Sequence, residues 1–135
     1  MTDARLQLDV VTPEGVVVAT EVDEVVAPGS DGEFGVLPGH TPFLVLLGVG
    51  EVRYQSERGE ERLSVAHGFA EVTPDRVIIL AESCERPDEI DVERARAAMT
   101  RAEARLSSDT TEIDHARAEA ALRRAINRIR MASEE

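Results

Sequence analysis

Near the start of the chain Leu6, Leu8 and Val10 alternate with Gln7 and Asp9, the period of two that turns one face of a β-strand inward. The alternation returns as Val52 and Tyr54 against Arg53 and Gln55, and as Leu63 and Val65 against Arg62 and Ser64. A valine-rich run, Val16 to Val18, continues towards Val22, Val25 and Val26, and a β-branched run, Val77-Ile78-Ile79, follows Pro74-Asp75. Turn chemistry separates these runs. Pro13-Glu14-Gly15 joins a preset φ to a residue that tolerates positive φ, Arg58-Gly59 reads as a hairpin turn, and Pro74-Asp75 as another. Short strands at this spacing predict a sandwich or a barrel.

The pattern then changes period. Pro87 stops the last strand or its linker, and Asp91 is a good N-cap before Val92-Glu93-Arg94. Ala95, Ala98, Met99, Ala102 and Leu106 recur at three- and four-residue steps, the spacing of one helix face. Ser107-Ser108-Asp109-Thr110 breaks that pattern and is expected to cap a second helix, whose stripe is Ile113, Ala118, Ala121, Leu122, Ala125, Ile126 and Ile129. So short a connection makes the two helices antiparallel neighbours. The expected fold is an all-β sandwich, residues 1–86, followed by a C-terminal antiparallel α-helical hairpin, residues 87–135. Both helical stripes are mostly alanine, which favours helix strongly but buries little area at ~25 cal/mol per Å². Such a hairpin should be well formed, weakly docked and able to change partners at low cost.

Composition sharpens the division. All nine glycines, all four aromatics and five of the six prolines precede residue 85, whereas eleven alanines follow it. Five arginines face fifteen acidic residues in 1–84, and ten face twelve in 85–135, so the overall charge of −12 belongs mostly to the sandwich. A chain of this acidity is not expected to bind nucleic acid or be drawn to anionic lipid. There is no lysine, which excludes a Walker A loop and Schiff-base chemistry. With 135 residues the chain can bury roughly two-thirds of its extended surface without disulfides, and the single Cys84 fits a reducing compartment. No secretory signal is expected, and the most apolar stretch, Pro42 to Gly50, is far shorter than the ~20 residues needed to span a bilayer.

Catalytic signatures are missing. His40, His67 and His115 stand alone in their segments, without metal-ligand spacing, and the parity of His67 with Leu63 and Val65 reads as an interior histidine. Gly29-Ser30-Asp31-Gly32-Glu33-Phe34-Gly35 lacks the dinucleotide glycine spacing and carries acids that repel phosphate. No catalytic residue and no metal site is therefore expected. Two features stand out. The Gly- and Pro-dense stretch Gly32 to Pro42 reads either as a long crossover with structural glycines or as a shaped surface for a partner. The arginines of the hairpin, Arg94, Arg101 and Arg105 on the first helix with Arg124 and Arg128 on the second, read either as a solvated face balanced by local acids or as a phosphate site.

The stretch Gly32-Glu33-Phe34-Gly35-Val36-Leu37-Pro38-Gly39-His40-Thr41-Pro42, with Phe43 to Leu47 and Gly48-Val49-Gly50 after it, resembles the signature loop of the epsilon subunits of bacterial F-type ATP synthases. Leu8-Asp9-Val10-Val11-Thr12-Pro13-Glu14-Gly15 and Ala66-His67-Gly68-Phe69-Ala70-Glu71-Val72 resemble further segments of that family. The resemblance implies a sandwich of about ten strands before the two helices. It implies a non-catalytic central-stalk subunit, bound to the gamma subunit and seated on the c-ring, with Glu33 and His40 as contacts on the c-ring side. It further implies a hairpin that folds down or extends towards the catalytic alpha and beta subunits and there inhibits ATP hydrolysis. Ile90-Asp91-Val92-Glu93-Arg94-Ala95 matches the motif through which some members bind ATP, with Arg101, Arg124 and Arg128 at supporting positions. No cofactor is required on this reading; ATP enters as a regulatory ligand. The implied location is peripheral, on the cytoplasmic face of the bacterial plasma membrane, without direct membrane insertion. The rival reading is a free-standing nucleotide or phosphometabolite sensor built on the arginine hairpin.

Overall fold

The computed structural model describes residues 5–108 and 114–133. The chain forms two units, Met1–Glu85 and Arg86–Glu135.

Among the described residues of the first unit seven strands follow in order: β1 Leu6–Thr12, β2 Gly15–Val22, β3 Glu24–Gly29, β4 Gly32–Val36, β5 Phe43–Ser56, β6 Gly59–Thr73 and β7 Arg76–Glu85. They hydrogen-bond in the order β2-β1-β7-β6-β5-β3-β4, antiparallel throughout except for β1 beside β7. The resemblance implied about ten strands; the seven found include two, β5 with 14 residues and β6 with 15, long enough to serve both layers of a sandwich. Their side-chain parity shows where they cross. In β5 the core residues are Leu47, then Val52 and Tyr54; in β6 they are Leu63 and Val65, then Ala70 and Val72. Odd positions thus give way to even ones midway along each strand, which is how a strand turns a sandwich corner.

The corner in β6 falls at His67-Gly68. His67 has φ 61° and Gly68 φ 122°. A Cβ on Gly68 would lie 1.8 Å from the Leu80 carbonyl oxygen, so only glycine fits there. His67 is half-buried at the bend, and not one of the core residues that its parity suggested. Tyr54, Leu6, Leu8, Leu63 and Ile79 fill the space between the layers and are fully buried.

The turns at Pro13-Glu14 and Pro74-Asp75 stand where sequence chemistry places them, and the β5–β6 turn is Glu57-Arg58, followed by Gly59 at φ 101°. One expectation needs correction: Gly32 to Pro42 is not one long loop. Its first five residues form β4, paired with β3 across a tight turn, because Gly32 and Gly35 sit opposite Gly29 and Val26 in regular register.

The second unit holds a short 3₁₀ turn, Pro87–Glu89, then α1 Val92–Leu106 and α2 His115–Ser133. Asp91 caps α1, its carboxylate accepting from the Arg94 amide at 3.0 Å. Ser107 is the C-cap of α1, and the first amides of α2 are met by Asp114, whose carboxylate accepts from the Arg117 amide at 3.0 Å. Asp109, Thr110 and Ile113 lie outside the described residues. The residues buried on α1 are Ala95 and Ala102, and those on α2 are Ala118, Ala125, Asn127 and Met131. The two alanine pairs each repeat after seven residues, a seam along which two helices approach closely with little side chain between them.

Candidate functional site

The two outer faces of the sandwich differ in chemistry. On the layer made by β2, β1, β7 and the adjoining halves of β6 and β5, Leu46 stands opposite Phe69, Phe69 opposite Leu80, Leu80 opposite Val11, and Val11 opposite Val16. This row crosses five strands on the side facing away from the core. A second row runs beside it through Leu44, Glu71, Ile78, Asp9 and Ala19. Leu44 is 68% exposed, Val16 67%, Leu46 55%, Leu80 49% and Phe69 48%, so five large apolar side chains lie open on one continuous surface. Scattered exposed apolar residues are ordinary, but a contiguous patch marks an interaction surface. Asp9 is a paired anion here: Arg76 donates to its Oδ2 from Nε at 2.9 Å and from Nη2 at 2.5 Å. Burial of the carboxyl works to raise its pKa. The hydrogen bonds from Gln7 and Arg76, with the arginine's charge, outweigh burial and hold it below the ordinary value.

The other layer is polar on its outer side. Arg53 reaches both carboxylate oxygens of Glu33 at 3.4 Å and lies 3.9 Å from Glu51, which also pairs with Arg62. An ion-pair ladder thus runs across β4, β5 and β6.

Of the residues singled out for the c-ring side, Glu33 lies on β4 in this ladder, and His40 lies in the connection of residues 37–42. That connection is pinned, because the Gly39 amide donates to the Pro74 carbonyl at 2.7 Å and the His40 amide to the Leu37 carbonyl at 3.2 Å. Gly39 has φ 85°, which glycine adopts without strain. The His40 ring lies 5.0 Å from that of Phe43, with Nδ1 2.7 Å from the Thr41 carbonyl oxygen, and Phe34 meets Phe43 edge-on at 5.5 Å. The Leu37 side chain is 57% exposed beside it.

In the hairpin the motif residues divide. Ile90 and Ala95 are buried, Asp91 is the N-cap, Arg94 and Arg101 are exposed, and Arg124 and Arg128 are half-buried. Asp91 therefore has a structural role whatever else it does. Among the described residues no group of His, Cys, Asp and Glu is placed to hold a metal ion. Among the described residues no helix is long and apolar enough to cross a membrane.

Sequence reasoning missed the apolar face. Its signal was present: Phe43 to Leu47 and Val77 to Leu80 are apolar at every position, whereas a strand with one solvated face should alternate.

Comparison with known proteins agrees with this architecture. The family model described as the ATP synthase delta/epsilon chain β-sandwich domain matches residues 5–87, and that of its long α-helix domain matches residues 88–133. The ATP synthase epsilon chain of Desulforamulus reducens is 53% identical over 126 residues, covering 93% of this chain and 96% of the relative. That of Desulforapulum autotrophicum is 58% identical over 123 residues, covering 90% and 91%. A chain in the OSCP/F1/c-ring structure of the Euglena gracilis mitochondrial ATP synthase superposes with a TM-score of 0.82 at 24% identity, over 94% of this chain and 81% of that one. One in the central stalk/c-ring structure of the Tetrahymena thermophila enzyme superposes with a TM-score of 0.61 at 10% identity, over 99% and 98%. Both domains are matched in their order and nearly to their full extent, and the chain belongs to the epsilon-chain family of the ATP synthases.

Proposed function

We propose that the chain is a non-catalytic subunit of the rotor, which joins the gamma subunit to the c-ring and restrains ATP hydrolysis through its hairpin. The observation that carries this reading is the apolar face across β5, β6, β7, β1 and β2. A sandwich with its own filled core has no use for Leu44, Leu46, Phe69 and Leu80 in water, and gamma is the partner to cover them. Family membership supports it. The pinned connection carrying His40, and Glu33 on the edge strand, are the contacts proposed for the c-ring. The subunit sits peripherally, on the cytoplasmic face of the bacterial plasma membrane.

Co-purification with recombinant gamma is the test. The chain should bind, and Phe69→Asp should abolish binding while leaving the melting temperature nearly unchanged, since Phe69 is half exposed. Equal binding by that variant would remove the assignment.

The hairpin is the regulatory part. Extended towards the catalytic alpha and beta subunits it blocks hydrolysis; folded back it does not. Deleting residues 88–135 should leave assembly intact and raise ATP hydrolysis by the catalytic head, and unchanged hydrolysis would end that role. ATP binding is proposed at Ile90, Asp91, Arg94, Ala95, Arg101, Arg124 and Arg128, where guanidinium groups can meet phosphate. Titration of the chain with millimolar ATP should give a heat of binding that Arg94→Ala with Arg124→Ala removes. No heat from the unmutated chain would dismiss the ligand.

A further inference from the structure

Glu71 stands in the second row of the apolar face, with apolar neighbours on three sides and Thr73 of the polar border on the fourth. Leu44 lies opposite it on β5 and Ile78 opposite it on β7. Phe69 precedes it by two positions on the same side of β6, with Leu46 and Leu80 flanking that phenylalanine. The Glu71 side chain is exposed, and none of the ion pairs or side-chain hydrogen bonds among the described residues includes it. By register the nearest arginine is Arg76, opposite Thr73, but its Nε and Nη2 are turned the other way, onto Asp9 of β1. The contrast with the polar face is direct, because there Glu33 and Glu51 both have an arginine partner.

Water solvates Glu71 while this face is open. When a partner covers Leu44, Phe69 and Ile78, it also covers the carboxylate between them. An ionised carboxylate moved out of water without compensation costs more than the surrounding apolar contacts return. A partner that buries this side of the face must therefore bring a cation to Glu71. We infer that the rotor partner presents an arginine or lysine to Glu71, set within an apolar stripe of its own. Arginine suits the place better, since it is weakly hydrated and its fork matches a carboxylate. The pair supplies what apolar burial lacks. Leucine and phenylalanine contacts are non-directional and tolerate sliding along the strands, whereas one charge pair inside them fixes register and orientation. This inference rests on the reading of the face as the gamma-binding surface.

The test is calorimetric titration of the full chain into recombinant gamma at low and moderate salt. Glu71→Gln keeps the shape and removes the charge. It should weaken binding at least tenfold and flatten the salt dependence, and Glu71→Arg should abolish binding. Thermal melts of the free variants should match the unmutated chain. If Glu71→Gln binds as tightly as the unmutated chain, or more tightly, while Phe69→Asp still abolishes binding, the face stands and the cation pairing is wrong. If Phe69→Asp binds unchanged, the face is not the gamma surface and both readings fall.

Discussion

Leu6, Leu8, Leu63, Ile79 and Tyr54 fill the sandwich, whereas the hairpin closes on Ala95, Ala102, Ala118 and Ala125. The two units solve the same problem with different materials. Large side chains interlocked between two layers return roughly 1.5–3 kcal/mol each on burial, and moving them apart loses all of it. An alanine seam returns far less, and its helices owe their order mainly to propensity and caps. The sandwich is therefore a rigid body that can carry a fixed docking face. The hairpin is a secondary structure that persists whether or not its present neighbours do. The regulatory hairpin proposed above needs this unequal division.

Mutation can sharpen or break the comparison. Leu63→Ala should show the largest effect, a loss of about 2–5 kcal/mol in denaturant unfolding of the sandwich, as for other buried leucines. A loss no larger than that of a hairpin substitution would mean that the sandwich is not the stiffer unit. Asp91→Ala removes the α1 cap and should cost about 1 kcal/mol, read as reduced helicity at elevated temperature with the sandwich transition in place. Asp9→Asn should have the smallest effect. The folded carboxyl titrates below its ordinary value of 3.8, so the stabilisation it contributes is present above that pH and fades as pH falls through the lowered value. Stability measured from pH 6 down to about 2.5 should fall less steeply in Asp9→Asn than in the unmutated chain. Identical slopes would show that the Arg76 pair contributes nothing on this face.

The elements themselves were legible where period and punctuation agreed. Leu6 to Val10, Leu63 to Val65 and the alanine stripes carry a single period each, and Pro13, Gly59 and Asp91 mark boundaries by conformational necessity. What stayed hidden depended on tertiary placement. Gly32 to Val36 reads as loop because its glycines lack strand propensity, and only its pairing with β3 makes it a strand. His67 follows the inward parity of Leu63 and Val65, but the corner that it forms reverses that parity. The apolar face joins residues from 11 to 80 through register, which no local pattern contains. Acidic and basic residues showed their number in the sequence but not their partners. Glu33, Glu51 and Asp9 turned out to be paired, and Glu71 did not.

The unequal division can be measured on one sample. Amide hydrogen exchange of the full chain reports local opening free energies from near zero up to that of global unfolding. Amides of β5, β6 and β7 should exchange only by global unfolding. Those of α1 and α2 should exchange through a separate opening, at least a hundredfold faster, a difference of about 2.8 kcal/mol at 1.4 kcal/mol per tenfold. Equal protection in both units, lost together in one transition, would contradict it.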